Sequence, residues 1–125
     1  MVEVGQLLAG RYQVVRSIGE GGAGVVYEAL HEEIGKRVAI KLLHPERNLD
    51  ETVTKRVLQE ARAAARVGHP SIVDIYDVGR TDDDTLFLVM ELLEGGSLRE
   101  MLKAEGVLDV DFASYVAGQM LSALE

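Results

Sequence analysis

Three glycines spaced as G-x-G-x-x-G restrict the possible folds of this chain more than any other feature. They are Gly19, Gly21 and Gly24, and Val26 follows two residues after the last of them. Because glycine has no Cβ, its backbone can approach a ligand closely, and a turn of this kind can direct N–H groups at phosphate oxygens. Dinucleotide-binding folds carry the same spacing, so the glycines alone do not identify the ligand.

The segments on either side of the glycines decide between the alternatives. A dinucleotide-binding fold places a helix directly after them. Here residues 25–30 read V-V-Y-E-A-L, which favours a strand, and residues 12–18 alternate with the two-residue period of a strand. The glycines are therefore predicted to join two strands, which argues against a dinucleotide-dependent oxidoreductase. A P-loop nucleotide hydrolase is disfavoured because the sequence has no G-K-[ST].

A lysine-bearing motif follows the glycines. Val38–Lys41 reads V-A-I-K, and Lys41 comes fifteen residues after Val26. In protein kinases a Gly-rich loop covers the ATP phosphates, and the lysine of V-A-I-K contacts them. The two motifs in this order predict a kinase-type nucleotide-binding lobe.

The segment after the lysine strand is predicted to form a helix. Pro45 ends the strand, because proline has no N–H to donate. Asn48 and Glu51 form a capping box that opens the helix, and Gly68 ends it. The helix carries Glu60, nineteen residues after Lys41.

Two further strands are predicted over residues 72–79 and 85–90, joined by the run Asp82–Asp84. Such a run is most simply a hairpin tip, because a metal site would need oxygen ligands fixed from more than one place. Ser97 then caps a short helix, and a second helix begins at Asp109. The second helix has an apolar face made of Val110, Ala113, Ala117, Met120, Leu121 and Leu124.

The composition of the chain restricts the classes of function and the cellular location that are expected. The net charge is −8, and residues 71–125 carry 3 basic against 12 acidic side chains, which excludes a general nucleic-acid surface. The sequence has no cysteine, which is compatible with a reducing cytoplasm. The first residues do not read as a signal peptide, and no apolar run is long enough for a membrane segment. A cytoplasmic location is expected.

These motifs together resemble the N-terminal lobe and hinge of bacterial Hanks-type (eukaryotic-like) serine/threonine protein kinases. The similarity begins near Arg11 and includes residues 68–73 (G-H-P-S-I-V) and 90–98 (M-E-L-L-E-G-G-S-L). It implies an α+β fold with a five-stranded antiparallel sheet and one large helix, followed by the first helices of a truncated C-terminal lobe. The implied division is a lead-in over 1–10, the N-terminal lobe over 11–94, and the hinge end with two helices over 95–125.

The resemblance also implies roles for individual residues. Lys41 and Glu60 would form the ion pair that positions ATP. Met90 takes the gatekeeper position, while the Glu91 carbonyl and the Leu93 N–H would contact the adenine edge. The expected ATP-binding residues are Ile18, Gly19, Glu20, Gly21, Gly22, Ala23, Gly24, Val25, Val26, Ala39, Lys41, Met90, Glu91, Leu93 and Ser97.

The motifs that complete phosphoryl transfer are missing from this sequence. Kinases use H-R-D-x-x-x-x-N and D-F-G to supply the catalytic Asp and the Mg²⁺ ligands, and neither occurs here. Asp111-Phe112-Ala113 is not accepted as D-F-G, because it opens an amphipathic helix and ends in Ala. No metal ligands are therefore assigned, and Mg²⁺ and a protein substrate are expected only for the complete enzyme.

Two functions remain open from the sequence. The first is the ATP-binding portion of a serine/threonine kinase, inactive in phosphoryl transfer as this chain alone. The second is a catalytically silent, kinase-like module that binds a nucleotide or a partner. In either case the apolar face of the 109–125 helix is expected to cause self-association.

Overall fold

A computed structural model describes residues 2–21, 24–44, 51–95, 98–106 and 110–124. The sheet has six strands in the order β1-β2-β3-β4-β6-β5, and every neighbouring pair is antiparallel. The strands are β1 Leu7–Leu8, β2 Tyr12–Glu20, β3 Gly24–His31, β4 Lys36–Leu43, β5 Ile75–Arg80 and β6 Leu86–Met90. The helices are α1 Glu51–Val67, α2 Leu98–Glu105 and α3 Val110–Leu124.

One face of the sheet carries the hydrophobic core. Tyr27, Ile40 and Val89 lie directly opposite one another on β3, β4 and β6, and all three are buried. Residues that are directly opposite on antiparallel strands share a face, so the register defines this surface, here called the core face. Its buried cluster consists of Leu8, Tyr12, Val14, Tyr27, Ala29, Val38, Ile40, Phe87 and Val89.

Successive side chains along a strand point to opposite faces of the sheet, so the residues between the core-face positions lie on the opposite surface, here called the cleft face. Lys41 lies opposite Val26 on one side and Leu88 on the other. Two residues back along β4, Ala39 lies opposite Glu28 and Met90. The register therefore places the V-A-I-K lysine and alanine on the same side of the sheet.

The predicted fold is confirmed, with one additional edge strand. The resemblance implied five strands; the sixth is β1, which pairs with β2 through Leu7 and Leu8. The large helix ends as predicted, since Gly68 adopts the left-handed region at φ 61°. The predicted positions Pro45, Asn48, Ser97 and Asp109 lie outside the described residues.

The predicted start of the strand over 72–79 is wrong. Strand β5 begins only at Ile75. The preceding residues turn back on themselves: the Ile72 N–H donates to the His69 carbonyl at 3.0 Å, and the Ser71 N–H donates to His69 Nδ1 at 2.9 Å. Since these N–H groups are already bonded within the turn, they cannot join a sheet ladder.

Helix α3 exposes the apolar face predicted for it. None of its described residues is buried; Val110 is 77% exposed and Leu121 is 65% exposed. Two polar contacts join it to the turn before β5, His69 Nε2 with Ser122 Oγ at 3.0 Å and Ser71 Oγ with Gln119 Oε1 at 2.7 Å. Within the described ranges, no helix is long and apolar enough to cross a membrane.

Candidate functional site

The glycines form the turn of a β-hairpin. Glu20 and Val25 form the β2–β3 pair nearest the turn, and the Gly21 N–H donates to the Gly24 carbonyl at 2.9 Å. A strand therefore follows the glycines, as predicted, and not a helix. Gly22 and Ala23, which are also among the predicted ATP-binding residues, lie outside the described residues.

The three described glycines of the motif do not share one structural reason for lacking a side chain. A Cβ on Gly24 would lie 2.0 Å from the Leu42 carbonyl oxygen, because β3 passes close to the backbone of β4 there. A Cβ on Gly19 or Gly21 would meet no described atom within 4 Å. Neither of these two residues has a positive φ. Internal packing therefore explains Gly24, while Gly19 and Gly21 leave open space beside the backbone that a ligand could use.

The cleft face brings several predicted residues together. Val26 and Lys41 are directly opposite on β3 and β4, and Ala39 and Met90 are directly opposite on β4 and β6. Adjacent strands lie about 4.8 Å apart, so these side chains occupy one small area. Lys41 is half-buried. Ile18 lies at a bulge of β2 between Ser17 and Gly19 and is partly exposed.

Residues 91–95, here called the linker, follow β6 and include the residues predicted to contact the adenine edge. Its first residue is bonded to the chain before β5: the Glu91 N–H donates to the Asp74 carbonyl at 2.9 Å, and the Asp74 N–H donates to Glu91 Oε2 at 3.3 Å. Leu93, whose N–H was predicted to bind adenine, is 63% exposed. Ser97 lies outside the described residues.

Lys41 and Glu60, the predicted ion pair, lie on β4 and α1. Among the described residues no ion pair joins them, and Glu60 is exposed on α1. The helix lies against β5 and buries Thr54 and Ala61. Because successive helical residues are rotated by about 100°, burying Ala61 turns Glu60 away from that contact. The ion pair stays a prediction for the complete enzyme.

A charge cluster on the cleft face was missed by the sequence interpretation. The Glu28 carboxylate is only 5% exposed and accepts hydrogen bonds from Arg16 Nε at 3.1 Å and Arg37 Nη2 at 3.0 Å. The hydrogen bond from Arg37 lowers the pKa of Glu28 below its usual value, and the charge of both arginines acts in the same direction. The available signal was an acidic residue inside the otherwise apolar run V-V-Y-E-A-L.

His44, to which no chemistry was assigned, holds the glycine turn. Its Nε2 lies 3.0 Å from the Gly21 carbonyl oxygen and 3.9 Å from Glu20 Oε1. A carbonyl can only accept a hydrogen bond, so Nε2 must carry a proton. The end of β4 is thereby tied to the turn.

A cavity of about 430 Å³ opens on the core-face side of the sheet. Its lining includes Glu20 and Val25 but none of Ala39, Lys41 or Met90. The cavity is therefore separate from the area where the predicted site residues converge. The Asp82–Asp84 run forms a hairpin tip as predicted, and no group of three or more metal-ligating residues occurs in the described part of the chain.

The N-terminal lobe of a protein kinase is defined by three features found here together: a glycine turn between β2 and β3, a lysine on β4, and a linker after β6. Residues 12–125 match the protein kinase domain family, and the chain belongs to that family.

Bacterial serine/threonine kinases are among its relatives. The chain is 39% identical to the serine/threonine-protein kinase PrkC of Bacillus subtilis over 97% of its length, and 38% identical to PknA of Mycobacterium tuberculosis over 98%. It spans 18% and 29% of those proteins. The crystal structure of the M. tuberculosis PknI kinase domain superposes with a TM-score of 0.84 at 28% identity, and the chain covers 49% of that domain.

Proposed function

We propose that this chain forms the ATP-binding part of a bacterial serine/threonine protein kinase. The supporting observation is that Val26, Ala39, Lys41 and Met90 share the cleft face next to a hairpin whose Gly19 and Gly21 leave open space. A Cβ would fill that space, so the backbone there fits the approach of phosphate oxygens.

Each part of the nucleotide has a proposed contact. Backbone N–H groups of the glycine turn donate to phosphate oxygens, and Lys41 compensates the negative charge of the α- and β-phosphates. Ile18, Val26 and Ala39 sandwich the adenine, and the small side chain of Ala39 admits the ring. The Glu91 carbonyl and Leu93 N–H bind the adenine edge.

Phosphoryl transfer is proposed for the complete enzyme only. The chain carries no H-R-D or D-F-G motif, so it lacks the Asp that accepts the substrate proton. Mg²⁺ would neutralise phosphate charge in the complete enzyme, and no cluster among the described residues is suited to hold it. A protein serine or threonine hydroxyl is the proposed acceptor, and the cytoplasm, where ATP is abundant, is the proposed location.

A catalytically silent binding module is the second candidate. Among the described residues no ion pair joins Lys41 to Glu60, which favours this candidate because the lysine is then not held for transfer. The second candidate binds a nucleotide or a partner, and only the first acquires kinase activity when the missing motifs are supplied.

We also propose that α3 mediates self-association. Its exposed apolar side chains include Met120, Leu121 and Leu124. Contiguous apolar surface of this kind tends to be covered by a partner, and a second copy offers a matching helix.

Calorimetric titration with ATP, with and without Mg²⁺, tests the proposed function. We expect saturable binding that Lys41→Met abolishes. Lys36→Met is the matched control, since Lys36 lies on the same strand but faces the Tyr76 ring at 3.9 Å. Equal binding by wild type and Lys41→Met would contradict the proposal.

A further inference from the structure

A buried carboxylate lies in the same row of the sheet as the proposed adenine contacts. Arg16, Glu28, Ala39 and Met90 are directly opposite one another on β2, β3, β4 and β6. Residues in such a row share a face. Glu28 therefore lies immediately beside Ala39 on the cleft face, away from the hydrophobic core.

Burial of this carboxylate requires partners, and two arginines supply them. Desolvating an ionised carboxylate is costly unless charged hydrogen bonds replace its water. Arg16 Nε donates to one carboxylate oxygen at 3.1 Å and Arg37 Nη2 donates to the other at 3.0 Å. Because both oxygens are engaged, the Arg37 guanidinium is held in a defined position at the edge of the cleft face.

The same guanidinium also faces the linker after β6. Arg37 Nη1 lies 3.7 Å from Glu94 Oε1. Leu92, Leu93, Glu94 and Gly95 line a small cavity of about 190 Å³ together with Arg16, Glu28 and Arg37. A chain of ion pairs thus connects Arg16 on β2, Glu28 on β3 and Arg37 on β4 to Glu94 in the linker.

The linker is consequently restrained on both sides of Leu93. On one side the Glu91 N–H bonds to the Asp74 carbonyl, and on the other Glu94 faces Arg37. Leu93 itself is largely exposed. The direction of its backbone N–H therefore depends on these two flanking attachments.

We propose that Arg37, fixed by Glu28, is a positioning residue that sets the linker backbone for adenine recognition. This inference depends on the proposed nucleotide-binding function. Arg37 touches neither the adenine nor the phosphates in this scheme; it acts through Glu94 on the residues that do.

The expected effect is small but selective. Arg37 and Glu94 are 55% and 81% exposed, and exposed ion pairs contribute little, so removing the pair should weaken adenine binding about two- to five-fold. Salt should reduce the difference between wild type and variant, because exposed charges are screened. Phosphate binding should be unaffected, because the glycine turn and Lys41 do not depend on the linker.

The test compares three ligands on the 125-residue chain by calorimetry: adenosine, ATP and inorganic tripolyphosphate. Arg37→Ala should bind adenosine and ATP two- to five-fold more weakly and tripolyphosphate as wild type does. Glu94→Gln should reproduce this pattern, and Arg37→Lys should recover part of the adenosine affinity. Arg80→Ala is the matched control, because Arg80 forms a comparable exposed ion pair with Asp84 at 3.6 Å away from the linker.

The outcomes separate this inference from the function on which it rests. If wild type binds adenosine and both Arg37→Ala and Glu94→Gln bind it equally well, the positioning role is wrong and the proposed function stands. If Arg37→Ala weakens tripolyphosphate as much as adenosine and lowers the melting temperature, its role is general stability. If wild type binds neither ATP nor adenosine, both proposals are overturned.

Discussion

Substituting the glycines of the turn one at a time separates packing from ligand binding. At Gly24 an added Cβ would lie 2.0 Å from the Leu42 carbonyl oxygen and 2.9 Å from its carbonyl carbon. Both atoms belong to backbone, so β3 and β4 must move apart for Gly24→Ala to fold. Overpacking of this kind costs about 1–3 kcal/mol, and the backbone contact here favours the upper half of that range.

The corresponding change in melting temperature can be estimated. With an unfolding entropy of about 2.1 cal/mol/K per residue, each kcal/mol lowers the melting temperature of a chain of this length by about 4 °C. Gly24→Ala should therefore melt about 8–12 °C below wild type. Thermal unfolding followed by circular dichroism measures this shift.

Gly21→Ala is the matched substitution, because its Cβ would meet no described atom within 4 Å. Its stability should stay within about 0.5 kcal/mol of wild type. Its ATP affinity should fall about ten-fold, since the methyl group obstructs a charge-assisted hydrogen bond to phosphate. The reasoning is refuted if Gly24→Ala has the same melting temperature as wild type, or if Gly21→Ala is less stable than wild type but binds ATP equally well.

Three further predictions concern packing, pH and assembly. Gly79→Ala should destabilise the chain by about 1–3 kcal/mol in urea unfolding, because its Cβ would lie 2.7 Å from Cζ of the fully buried Phe87; an unchanged midpoint would contradict the packing. Folding lowers the pKa of Glu28, so its carboxylate stabilises the chain above pH 4.5 and loses this effect as the pH falls towards the folded-state pKa. Glu28→Gln should therefore weaken the dependence of the urea midpoint on pH on the acid side. Parallel curves of urea midpoint against pH for wild type and variant would contradict this. Leu121→Glu should convert a self-associating wild type to a monomer in analytical ultracentrifugation, and a wild type that is monomeric at all concentrations would refute the assembly proposal.

The main elements of the fold could be predicted from local sequence patterns. The strand character of V-V-Y-E-A-L indicated that the glycines join two strands, and Gly68 marked the end of α1 correctly. Both features depend on residues near in sequence, where propensity and capping act directly. The start of β5 could not be predicted, because the bond from Ser71 to the His69 side chain competes with the sheet.

The parts that could not be predicted depend on pairing between distant residues. The requirement for glycine at position 24 comes from its approach to Leu42, and only the β3–β4 register reveals it. Likewise, the partners of Glu28 lie 12 and 9 residues away on neighbouring strands. The position of Glu60 depends on how α1 is rotated against β5, which periodicity alone does not fix.

Amide chemical-shift mapping by NMR during titration with MgATP tests the central claim most directly. The account predicts that the largest shifts fall on the glycine turn around Gly21, on β4 around Lys41, and on the linker at Leu93. Shifts confined to the residues around the core-face cavity, such as Leu7 and Thr85, would contradict it, because the nucleotide would then bind on the opposite face of the sheet.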